Sequence, residues 1–126
     1  MLSPYELIAK ATLPAIRAQV ARILLHKYGL SQQEVAKRLG ITQAAVSNYS
    51  RGVRGSTLEL DDEEVRRHVD ELARMLVEQV DKITVTAKLI ETVELVKKKR
   101  LMCDFHKQLE PDIVVDECTL CDSSGV

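Results

Sequence analysis

Trp is absent from the 126 residues, Phe occurs once and Tyr three times. With aromatics at 3% and apolar residues at 45%, a core has to be built from Leu, Val, Ile and Ala, which suits packed helices. No run approaches the ~18 consecutive apolar residues of a membrane span. The opening Met1-Leu2-Ser3-Pro4-Tyr5-Glu6 lacks a basic stretch followed by an apolar one. It therefore does not read as a signal peptide, and the expected location is cytoplasmic. Cysteine is scarce: the three present fall within the last 24 positions. An odd count without an export signal argues against a disulfide framework. There is no nucleophile–base constellation and no phosphate loop, so an enzyme is not expected. Internal repeats and low-complexity blocks are also missing.

Net charge is −1, but it is unevenly distributed. Residues 1–57 hold eight Lys/Arg against two acids, a net of +6, and the remainder is net −7. A basic half joined to an acidic half assigns any contact with phosphate to the first half.

The pattern along the chain is all-α. Ser3-Pro4-Tyr5-Glu6 has the form of a capping box with Pro in the first turn. Helical periodicity runs on to about Tyr28, with Pro14 expected to break or kink it. Gly29 then stops it. Ser31-Gln32-Gln33-Glu34 reads as a second capping box and opens a helix that ends near Leu39, Gly40 makes the turn, and Thr42 caps a further helix through about Ser50. Gly52 and Gly55 mark a loop, and Ser56 to Asp62 reads as a hinge. Val65, Val69, Leu72, Leu76, Val80 and Ile83 then draw one apolar stripe along an acidic helix. A second stripe runs from Leu89 to Leu101, with the β-branched Thr84-Val85-Thr86 expected to bend or separate the two. The stripes are expected to form a dimer interface. Three units follow: residues 1–57 as a helix-turn-helix domain, 58–101 as a helical dimerisation segment, and 102–126 as an irregular metal-binding tail.

The segment from Gln33 to Ser47 carries the strongest signal. Two helices crossing steeply need a small residue at closest approach, supplied by Ala36. The tight turn between them favours a residue tolerant of positive φ, supplied by Gly40. Val35, Leu39, Ile41 and Val46 fall on the inward face. Over residues 31–55 this segment resembles the XRE-type (Cro/repressor-like) helix-turn-helix proteins. Leu13-Pro14-Ala15-Ile16-Arg17 and Leu101-Met102-Cys103-Asp104-Phe105-His106 further resemble a group of archaeal predicted regulators, to which residues 58–100 are similar only in length and helicity. The resemblance implies a homodimer on a palindromic double-stranded DNA operator, with the helix from Thr42 to Ser50 in the major groove. Its exposed face would present Gln43, Ala44, Ser47 and Asn48. Gln and Asn pair bidentately with adenine and the Ala methyl suits the thymine methyl, which points to an A·T-rich half-site. Gln32, Thr42, Tyr49, Arg51 and Arg54 are placed for phosphates, which set register and carry no sequence information. The plainer reading of the same residues is an αα-hairpin that holds a protein partner.

Cys103 and His106 are separated by two residues, as are Cys118 and Cys121. Two such pairs suit one metal centre. Spacing alone favours a Cys3His zinc site that staples the tail. An iron–sulfur cluster is the other reading, since a two-fold dimer would bring six thiolates together and a regulator requires an input. A tail without metal is the third. The expectation adopted is the cluster, sensing redox state or iron supply, because the chain offers no obvious pocket for a small effector. Asp61-Asp62-Glu63-Glu64 is read as first-turn helix charge. Lys97-Lys98-Lys99-Arg100 is read as a solvated helix end that complements the dipole.

Overall fold

The computed structural model describes residues 3–51, 60–103 and 107. Ser3 is extended and accepts the Glu6 amide at 3.3 Å, while the Glu6 carboxylate takes the Ser3 N–H at 3.2 Å. This reciprocal cap starts α1, Pro4–Leu7. A π-helical turn, Ile8–Thr12, joins it directly to α2, Leu13–His26.

Pro14 therefore does not break the segment. Proline has no N–H to offer the carbonyl four residues back, and its ring would strike that carbonyl in a regular α-helix. The turn immediately before it is widened, with the Leu13 N–H reaching Ile8 O, and the helix continues through.

Gly29, at φ 67°, ends this long segment, and the Leu30 N–H folds back to Leu24 O at 3.0 Å. Helix α3 is Gln32–Leu39 and α4 is Gln43–Arg51. The Ser31 hydroxyl accepts the Glu34 amide at 3.1 Å. The Glu34 carboxylate does not complete a second box and instead faces Arg38 at 3.5 Å. Helix α5, Glu63–Val77, is capped by Asp62, which accepts the Val65 amide at 3.0 Å.

The stripe expected to run to Ile83 stops earlier. Gln79 takes the left-handed conformation, φ 57°, and donates to Leu76 O at 3.3 Å, while Val80 donates to Met75 O at 3.1 Å. These two bonds form a Schellman ending. Asp81 then caps α6, Lys82–Lys98, accepting both the amide and the hydroxyl of Thr84. The helices part at residues 78–81, and the β-branched Thr84-Val85-Thr86 lies in the first turns of α6. Ile83 stands outside the stripe, 83% exposed.

Helix α2 is the centre of the packing: α3 and α4 lie against it, as does α5, and α6 lies on α5 and the π turn. Ile16, Leu24, Val35, Val46, Val65, Val69, Leu72 and Val96 belong to one buried cluster. The Val65–Val69–Leu72 stripe is thus covered within one chain and is not left for a dimer seam. Met102 is fully buried and its sulfur accepts the Thr12 hydroxyl at 3.5 Å, which ties the end of the described chain to the π turn.

Charge pairs hold the α5–α6 hairpin. Lys88 meets Glu71 at 3.0 Å, and Lys99 meets Asp62 at 3.2 Å and Glu64 at 3.0 Å. Of the Asp61–Glu64 run, Glu63 and Glu64 are first-turn charge, as read, while Asp62 is the cap and Asp61, ahead of the helix, pairs with Arg66 at 3.2 Å. The basic run at the end of α6 is not merely solvated, because Lys99 bridges to the start of α5 and the largely buried Lys97 pairs with Glu94.

Hydrogen bonds from the Val65 amide and Lys99 hold Asp62 below its ordinary range, and Lys99 does the same for Glu64. Lys88 lowers Glu71 in like manner. A carboxylate whose folded pKa is depressed stabilises the fold above its unfolded value and loses that contribution as pH falls through the folded one. Thermal stability is expected to fall as pH drops below about 4. Lys99→Met should make that acid limb shallower in thermal melts recorded across pH.

Candidate nucleic-acid interface

The geometry of α3 and α4 begins with three local signals. Ser31 starts α3, Gly40 at φ 67° and ψ 34° ends it, and the Thr42 hydroxyl accepts the Ala45 amide at 3.1 Å to start α4. The Ile41 N–H returns to Ala36 O at 3.0 Å, closing the turn. Val35 and Val46 are fully buried, Ala36 nearly so, and Leu39 and Ile41 are half-buried against the same cluster. These are the four inward positions and the close-approach residue expected from spacing.

A β-carbon at Gly40 would meet nothing within 4 Å. The cost of a side chain there is therefore backbone strain alone, about 1–2 kcal/mol for a left-handed L-residue. Gly40→Ala is expected to lower stability by about that amount in chemical denaturation, and Gly40→Asn by less, since Asn tolerates this conformation.

Along α4, residues 43, 44, 47 and 48 recur on one face. Gln43 and Ala44 are exposed in its first turn, while Ser47 and Asn48 are half-buried one turn on. Thr42 is exposed and Gln32 half-buried, each at the start of its helix. The two helix starts offer backbone N–H groups and partial positive charge, features that suit phosphate. Tyr49 is half-buried and packs against the core. Arg51 closes α4, whereas Arg54 lies outside the described residues.

The basic side chains do not all serve one surface. Arg38 extends inward: its Nη1 donates to Leu76 O at 2.7 Å, which also accepts the Gln79 N–H, and to Val77 O at 3.1 Å, both carbonyls of the last turn of α5. This joint between α3 and the α5–α6 hairpin was not foreseen from sequence, where Arg38 counted only toward the basic half. Lys27 lies over the Tyr28 ring, 5.6 Å from its centroid.

Of the expected metal ligands, Cys103 is described: it is a half-buried free thiol, one residue beyond the anchored Met102. His106, Cys118 and Cys121 lie outside the described residues. Among the described residues, no group of three His, Cys, Asp or Glu side chains is placed to hold a metal ion. No helix among them is long and apolar enough to cross a membrane.

A family model described as helix-turn-helix matches residues 20–60. That match begins within α2 and takes in all of α3 and α4, about a third of the chain. No curated protein and no solved structure matches the chain. The chain therefore carries a helix-turn-helix domain of the kind found in DNA-binding regulators.

Proposed function

We propose that this chain is a homodimeric, sequence-specific DNA-binding regulator of the XRE type that reads a palindromic operator with α4. The observation that carries the reading is the exposed first turn of α4, where Gln43 and Ala44 project from a domain whose family match spans α3 and α4. Ser47 and Asn48 extend the reading face, and Gln32, Thr42, Arg51 and Arg54 contact phosphates. Fluorescence anisotropy of the chain on labelled duplex DNA tests it. Affinity is expected to fall steeply and log-linearly with salt, as counterion release requires. An absence of binding at low salt would count against the proposal and favour a protein-interaction module.

The proposed dimer seam is on the outer face of α6. Ile83 and Ile90 are 83% and 58% exposed, with Ala87, also exposed, between them at helical spacing. Exposed isoleucines in register on one helix offer apolar surface to a second copy. Ile83→Glu/Ile90→Glu is expected to convert dimer to monomer in analytical ultracentrifugation, with little loss of helix content. A dimer that persists in this variant would reject the seam.

The tail residues Cys103, His106, Cys118 and Cys121 are proposed to bind a metal centre, an iron–sulfur cluster shared across the dimer or, as the alternative, zinc. Support comes from the two paired spacings and from the anchoring of Met102 beside Cys103. Metal and acid-labile sulfide analysis of anaerobically isolated protein separates the two. Colourless protein with one zinc per chain would eliminate the cluster.

A further inference from the structure

A cleft of about 710 Å³ lies between the helix-turn-helix and the α5–α6 hairpin. Its volume is within the ~300–1,000 Å³ typical of small-molecule sites. Two features of its lining point to one class of ligand. Leu39, Leu76 and Leu89 are among its walls, and each is only half-buried, so the cleft collects apolar side chains that the core leaves partly uncovered. At the same cleft, three helices each contribute a cation: Arg17 from α2, Lys37 from α3 and Lys82 from α6. None of the three has an ion-pair partner among the described residues. The lining acid, Glu34, is already paired with Arg38.

We propose that this cleft binds an amphipathic organic anion, its apolar body against the leucines and its single anionic head among Arg17, Lys37 and Lys82. The chemistry is complementary on both counts. Apolar surface alone would accept any greasy molecule, and cations alone would stay solvated. Together on one concave surface they select a ligand that has both parts. The site supplies what the sequence reading lacked, a pocket for a small effector. It stands whether or not α4 reads DNA.

The test is isothermal titration of the full-length chain with decanoate below its micellar concentration, with decanol as the uncharged control. Saturable binding of decanoate is expected, at least about tenfold tighter than decanol. Lys37→Gln/Lys82→Gln, which alters two exposed side chains, is expected to weaken decanoate about tenfold and leave decanol unchanged. Leu89→Gln is expected to weaken both. Circular dichroism verifies that each variant is folded. Failure of decanoate to bind would overturn the proposal. So would equal affinity for decanol, or decanoate binding unaffected in the folded Lys37→Gln/Lys82→Gln variant.

Discussion

Gln43→Glu/Ala44→Glu is expected to reduce DNA affinity about a hundredfold or more while leaving the fold intact. Both side chains are exposed, and they are the first two residues of α4. Acids in a first turn complement the helix dipole and contribute about 0.3–1 kcal/mol in favour of the helix. The melting temperature should therefore hold or rise slightly. Against DNA the same charges face phosphates and acceptor-rich base edges, and like-charge juxtaposition at an interface costs several kcal/mol. Loss of the Gln43 amide removes a further ~1–3 kcal/mol of discrimination if it pairs with adenine. A variant that loses DNA binding and structure together would say nothing about the surface, so the melt and the titration belong in one experiment. Affinity unchanged in the folded double variant would show that α4 is not the reading helix.

Arg38→Ala is expected to lower stability by about 2–3 kcal/mol, or roughly 10 °C in melting temperature. One guanidinium nitrogen serves two carbonyls at the end of α5, at 2.7 and 3.1 Å. Hydrogen bonds from a charged donor contribute about 1.5–3 kcal/mol each, and two that share one nitrogen fall short of twice that. The contact with Glu34, half-exposed at 3.5 Å, adds little. Arg38→Lys should recover only part of the loss, because an ammonium lacks the planar fork. A melting temperature within about 2 °C of the unmodified chain would mean that water satisfies those carbonyls equally well, and the joint would carry no weight.

Much of the fold was legible because its signals are local. Ser3, Ser31 and Thr42 start helices, and Gly29 and Gly40 end them, through chemistry confined to a few neighbouring residues. The inward set Val35, Leu39, Ile41 and Val46 followed from periodicity. The errors have equally specific causes. Pro14 signalled a break or a kink, and the break did not occur because a widened turn upstream accommodates the ring; nothing in residues 8–12 announces a π turn. The end of α5 was missed because Gln79, not glycine, occupies the left-handed position. The α5 stripe was read correctly as apolar, but periodicity cannot tell whether α2 or a second copy covers it. Arg38 was invisible as a joint because a cation facing carbonyls looks, in sequence, like a cation facing phosphate. The cleft was missed for a related reason: its cations and leucines come from separate helices and meet only in the fold.

Whether α4 reads a specific duplex is decided by selection from a random pool of duplexes by the purified chain, and the proposed reading helix should enrich one motif. Enrichment of a two-fold symmetric motif is expected, with A·T-rich half-sites about 34 Å, one helical turn, apart. That enrichment should vanish for the folded Gln43→Glu/Ala44→Glu variant. Failure of any motif to enrich, or enrichment of the same motif by that variant, would contradict that role for α4.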